Sequence, residues 1–108
     1  VEEIRDAQVR LDELAAAAER AEAMVEEWSV REFAGRADDG GIVATAGVLG
    51  TLLRLEISPL SRRRLDATGL ADAILAAVVA AEEAAADAKE ELTAGLRRVR
   101  EALSRPAS

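Results

Sequence analysis

A chain of 108 residues suffices for one domain with a modest core. It contains no cysteine and no histidine, which excludes disulfides, thiol nucleophiles, thiolate or imidazole metal sites and the commonest general base. The formal net charge of -7 speaks against a uniformly basic nucleic-acid binder, whose surface carries a positive stripe.

The negative charge is unevenly spread. Both long alanine-rich segments are acidic, whereas Arg62, Arg63 and Arg64 form one basic island and Arg97, Arg98, Arg100 and Arg105 form another. Twenty-five alanines, with Trp28 and Phe33 as the only aromatics, predict a thin core suited to close helix packing rather than a deep pocket. No apolar run reaches the roughly 20 residues of a membrane span, and the acidic start lacks the basic-then-apolar layout of a signal peptide. The expectation is a cytoplasmic protein with no membrane partner.

From about residue 2 to 27, Ile4, Leu11, Ala18 and Val25 recur every seven residues, and Ala7, Leu14, Ala21 and Trp28 do so three places on. This is an a/d heptad pattern and predicts a long helix that needs another helix to lie against. Trp28, at its end, is expected to anchor the junction with the sheet.

The period then changes. Val30 to Ala37, Ile42 to Ala46 and Thr51 to Ile57 read as strands, the last by alternation of Thr51, Leu53, Leu55 and Ile57 with a more polar face. Asp38-Asp39-Gly40-Gly41 can supply the positive φ angles of a tight hairpin, Gly47 and Gly50 bracket a second connection, and Pro59 ends pairing. The prediction is a three-stranded antiparallel meander.

Ser61-Arg62-Arg63-Arg64 reads as a loop, after which Asp66 or Thr68 caps a second long helix. Its stripe runs from Leu70, Ile74 and Val78 through Ala81, Ala85 and Ala88 to Leu92, Leu96, Val99 and Leu103, with Gly95 as a point where it could bend. Residues 1–104 thus form one α+β domain of order α-β-β-β-α, and 105–108 a short disordered tail. Two long helices on a three-stranded sheet leave apolar stripes exposed, which predicts a homodimer with projecting helices. Its expected dimer or core residues are Leu11, Leu14, Val25, Trp28, Leu53, Leu55, Ile57, Ile74 and Val78.

Catalytic and cofactor sites find no support. Neither G-x-x-x-x-G-K-[ST] nor G-x-G-x-x-G occurs, so the glycines are turn residues. Adjacent carboxylates such as Glu26 with Glu27 or Glu90 with Glu91 point about 100° apart on a helix and are a solvated face rather than an acid and base. Asp38 and Asp39 lack the regularly spaced oxygen ligands of a calcium loop. No enzyme, cofactor or metal is expected.

In this order of elements, the chain resembles the YbaB/EbfC family of nucleoid-associated DNA-binding proteins. The resemblance rests on Asp39-Gly40-Gly41-Ile42-Val43-Ala44-Thr45, then Gly50, then Leu55-Glu56-Ile57-Ser58-Pro59, then Leu70-Ala71-Asp72-Ala73-Ile74-Leu75-Ala76-Ala77-Val78. Ser58 stands where the family pattern has aspartate. The resemblance implies an α-β-β-β-α homodimer, its sheets joined and its helices projecting like tweezers, that binds double-stranded DNA in the nucleoid. The alanine-rich, arginine-over-lysine composition fits an actinobacterial-type member. Of the basic islands, Arg97, Arg98, Arg100 and Arg105, with Arg62, Arg63 and Arg64, are the candidate DNA contacts. No aromatic-interleaved stripe or recognition helix stands out, so binding would rest on backbone phosphates with little sequence preference. The competing expectation is a dimeric protein-protein adaptor of the same fold that does not bind DNA, associated with type VII secretion. A WXG-type helical hairpin is disfavoured because Trp28-Ser29-Val30 lacks the glycine and a β-pattern stands where a short turn belongs.

Overall fold

An alanine-rich stretch with glutamates at its start favours a helix, since alanine has the highest propensity and carboxylates suit the positive N-terminal end. In the computed structural model, which describes residues 1–104, this helix is α1, Glu2–Ser29, with Glu2 and Glu3 in its first turn. It is about 42 Å long at 1.5 Å per residue. The Arg31 N–H donates to the Trp28 carbonyl at 3.1 Å, closing a turn at Val30 after the helix, and Arg31 and Glu32 stay outside the sheet. Strand β1 therefore begins at Phe33, three residues later than the sequence pattern suggests, and runs Phe33–Ala37.

β1 pairs antiparallel with β2, Ile42–Ala46, which pairs antiparallel with β3, Leu52–Ile57, in the order β1-β2-β3. The expected meander is present. At the first turn Asp38, Asp39 and Gly40 have φ of 51°, 53° and 87°, as the Asp-Asp-Gly-Gly run requires. A register shift between Thr45 and Ala46 places Leu52 opposite Ala46. The strict alternation read from Thr51 onward is therefore broken by a bulge at the start of β3.

The segment expected as an arginine loop is instead a short helix, α2, Pro59–Arg64. The Ser58 hydroxyl accepts from the Ser61 N–H at 3.1 Å, and Pro59 occupies the first turn. Serine at the cap and proline just inside it are what start a helix, so the residues that end β3 also begin α2. The long second helix, α3, runs Ala67–Ser104, about 57 Å. Of the two expected caps Asp66 serves: its Oδ1 accepts from the Gly69 N–H at 2.7 Å. The tail at 105–108, Arg105 included, lies outside the described residues.

The core lies where the first half of α3 crosses the sheet. Ile42, Ala44 and Ala46 meet Ala77 and Ala81, with Ile57, Ile74 and Val78 packed half-buried against them. A second cluster joins Phe33 to Ala85 and Ala88, with Trp28 half-buried against it. Ile42 is the largest fully buried side chain, so the core is thin in the way the alanine content predicts. Small residues let backbones approach closely. A Cβ on Gly35 would strike the Ala77 carbonyl oxygen.

Beyond the sheet, α1 lies antiparallel to the second half of α3, and the two form an arm in a molecule 77 Å long and 19 × 18 Å across. Gly95 does not break α3. It is buried where the Met24 methyl rests on it. On α1 the residue fully covered is Ala17, with Ala21, Met24 and Trp28 half-covered. Leu11, Leu14 and Val25, expected in a core or dimer contact, are exposed in the single chain, Leu11 by 60% and Val25 by 40%. They are therefore not part of the chain's own core. The apolar stripe of α1 is wider than one partner helix can cover, and α3 takes only one flank of it.

Candidate nucleic-acid interface

The second half of α3 carries Arg97, Arg98 and Arg100 on its last turns, which α1 overhangs at the free end of the arm. Among the described residues none of them makes an ion pair. Because α1 runs the other way with Met24 on Gly95, it sets Glu19 and Glu22 near the level of Arg97 and Arg100, while its first turns, with Glu2, Glu3 and Asp6, extend roughly 20–25 Å past Arg100. Arg10, which no motif singles out, donates from Nη2 to the Leu103 carbonyl at 2.7 Å. It ties α1 to the last turn of α3, where a cation also suits the negative helix end. The arginine turns of α3 thus have the carboxylates Glu19 and Glu22 of α1 at their own level, and among the described residues the overhanging tip belongs to α1.

Arg62, Arg63 and Arg64 sit at the opposite end, on α2. Arg64 pairs with the Asp38 carboxylate, which also accepts from the Ser61 hydroxyl at 2.6 Å. Ser61 is buried, and a Ser58–Ser61 hydroxyl contact of 3.0 Å completes the network. Asp38 therefore fastens α2 to the β1–β2 turn, and of the three arginines only Arg62 and Arg63 are left without a carboxylate partner among the described residues. From Ala67 to Arg97 along α3 is about 45 Å, so one chain does not bring the two islands together.

The exposed surface of the sheet holds one further ion pair. Arg54 forks onto Glu32, Nη2 to Oε2 at 2.6 Å and Nη1 to Oε1 at 3.3 Å. Hydrogen bonding to Arg54, and then its charge, lower the Glu32 pKa below its usual 4.5, and the same contacts raise that of Arg54. At the outer edge of the sheet β3 presents Leu52, Leu53 and Leu55 to solvent, with Leu53 49% exposed. Of the sheet residues expected in a core or dimer contact, only Ile57 reaches the core; Leu53 and Leu55 form this open rim.

Between the β2–β3 turn and α3 an open groove of about 770 Å³ is lined by Val48, Leu49, Val79, Glu82, Glu83 and Lys89. Its two glutamates would repel phosphate, so it does not extend the basic surface. Among the described residues no group of three or more histidine, cysteine, aspartate or glutamate side chains is placed to hold a metal ion, and no helix is long and apolar enough to cross a membrane.

Residues 4–98 match the family model of the YbaB/EbfC DNA-binding family. Among solved structures the chain is similar to the uncharacterized protein HP0035 from Helicobacter pylori, with a TM-score of 0.56 and 15% identity over 74% of this chain and 93% of that one. That likeness speaks to the fold. No curated protein matches the chain.

Proposed function

The chain belongs to the YbaB/EbfC DNA-binding family, and we propose on that footing that it binds double-stranded DNA with little sequence preference, as a homodimer in the nucleoid. The observation that carries this reading is the family match over residues 4–98, which spans every element of the fold and includes Arg97 and Arg98. The arginines on the last turns of α3 supply the phosphate contacts, with Arg62 and Arg63 as a second set and Arg105 as a further candidate. Duplication of the chain supports the reading in two ways. It would cover the apolar β3 rim, where an open strand edge is otherwise a liability, and it would double a sparse set of cations that one chain holds far apart. Contacts confined to phosphate give affinity without base readout.

The test is a fluorescence-anisotropy titration of the full chain with an arbitrary duplex at several salt concentrations. Binding that weakens steeply with salt is expected, because each phosphate neutralised releases condensed counterions. Replacing Arg97, Arg98 and Arg100 together by alanine should weaken binding and flatten the salt slope by roughly 0.9 for each phosphate that is no longer neutralised. Unchanged affinity in that variant would remove these arginines from the site, and no binding at low salt would overturn the DNA reading itself.

A further inference from the structure

Gly41 is a glycine for a spatial reason. Its φ of -71° and ψ of -17° lie in right-handed helical space, which any residue adopts, unlike the positive φ of Gly40 beside it. A Cβ built on Gly41 would instead strike the Ser61 hydroxyl. The missing side chain is the passage through which Ser61 Oγ reaches Asp38 Oδ2 at 2.6 Å. At the same place the Ser58 N–H donates to the Gly41 carbonyl at 2.7 Å.

Asp38 is the other half of this joint. Its side chain is only 11% exposed, and its backbone is left-handed, a conformation that residues other than glycine hold only where their surroundings impose it. One carboxylate oxygen accepts from the Ser61 hydroxyl and the other pairs with the Arg64 guanidinium. Burying a carboxylate is costly unless it is paired and hydrogen-bonded, and both of these partners come from α2. That helix has six residues, far below the roughly 12 to 15 that an isolated helix needs in water. Successive residues point about 100° apart, so Ser61 and Arg64 share the face turned to Asp38. Arg62 and Arg63 project from the remainder and are exposed.

We propose that Asp38 is a positioning residue for the phosphate contacts of Arg62 and Arg63. By holding the inner face of α2 it keeps the helix formed and the two arginines turned outward before DNA arrives, so an acidic side chain raises the affinity for a polyanion. The inference rests on the DNA reading above, with Arg62 and Arg63 as its second set of contacts. Counting charges gives the opposite sign. Without Asp38 the chain loses a negative charge and frees Arg64, which should tighten binding and steepen its salt dependence. Pre-ordering acts the other way, since a segment that must order itself on the duplex adds that cost to binding.

The test is an anisotropy titration of the full chain with an arbitrary duplex for four proteins: wild type, Asp38→Gly, Arg62→Ala with Arg63→Ala, and all three changes together. Glycine suits the left-handed backbone, so Asp38→Gly removes both tethers without straining the turn. It should weaken binding about fivefold when Arg62 and Arg63 are present, and should not weaken it when both are alanine, where the α3 arginines remain to bind. Tighter or unchanged binding by Asp38→Gly overturns the proposal. So does equal weakening in both backgrounds, the mark of a general structural effect. If Asp38→Gly does not fold, Ser61→Ala, which cuts one tether at constant charge, takes its place in the same comparison. Wild type that fails to bind at low salt overturns the DNA reading and the positioning role together. Wild type that binds, with Arg62→Ala and Arg63→Ala leaving its affinity unchanged, overturns the positioning role alone.

Discussion

The two halves of α3 differ both in sequence and in the neighbours they meet. The first half lies on the sheet with Ala77 and Ala81 fully buried and with β1 so close that Gly35 has no room for a side chain. Past Ala88, which still touches Phe33, the second half lies against α1, in a contact that covers Ala17 and half-covers Ala21, Met24 and Trp28. Composition follows the same division: residues 67–85 hold nine alanines and three charged side chains, residues 86–104 four alanines and eight charged side chains. A sheet can enclose one face of a helix, whereas a single helix leaves both flanks of the seam open to charged residues. Stability therefore belongs to the sheet end, and adaptability to the arm.

Substitution at the two close approaches is the sharpest way to break that contrast. Gly35→Val would drive a branched side chain into the Ala77 carbonyl and the Ala81 backbone. Backbone on both sides cannot step aside, so the expected loss is about 3 kcal/mol or more, read as a fall in the urea midpoint or as failure to fold. Removing volume from the same place comes next. Ile42→Ala should cost about 3 kcal/mol, transfer and cavity terms together, since Ile42 is fully buried among alanines that cannot expand to fill the space.

The arm should respond far less to a formally similar change. At Gly95 the atom in the way of a new Cβ is the terminal methyl of Met24, the far end of a flexible side chain. A gain in helix propensity of about 1 kcal/mol for Gly→Ala offsets the displacement of that methyl. Gly95→Ala should therefore leave the urea midpoint within about 1 kcal/mol of wild type. A destabilisation as large as that for Ile42→Ala would show the arm to be packed as firmly as the sheet end, and would erase the contrast.

Much of this is legible in the sequence, for reasons particular residues make plain. Ile42 to Ala46 is bounded by glycine on both sides and matches β2 at both ends, and Asp38 to Gly41 announces positive φ by composition alone. The heptad of the first segment matches α1 nearly residue for residue. It does not say which part of the stripe α3 covers, because that depends on where the sheet sets the second helix. The heptad consequently groups Leu11, Leu14 and Val25 with Trp28, from which the structure separates them. Ser58-Pro59 reads as the end of a strand, although the same pair also starts α2. The Arg64–Asp38 pair is hidden for a related reason: it needs both that helix and the left-handed turn, and neither residue carries a sign of the other. The arginine islands are visible as charge, but their separation along α3 is a property of the fold.

The smallest expected effect lies on the surface, at the fork between Glu32 and Arg54. Glu32 has its pKa lowered from 4.5, first by the hydrogen bond from Arg54 and then by its charge. A group whose pKa is depressed by folding contributes stability that is present above its unfolded value and is lost as pH falls through the folded one. The contribution should therefore be full above pH 4.5 and fade on acidification below it. Both side chains are about half exposed, which leaves the pair open to screening by salt and keeps its effect small even with fork geometry. Glu32→Gln should lower the urea midpoint slightly at neutral pH and low salt, and the difference from wild type should shrink toward zero as Glu32 becomes protonated. If the difference persisted unchanged into acid, the charge on Glu32 would not be its source, and the side chain would act through shape alone. Arg54→Lys offers the finer cut: it keeps the charge and loses the fork, so it should retain the pH dependence while giving up part of the midpoint.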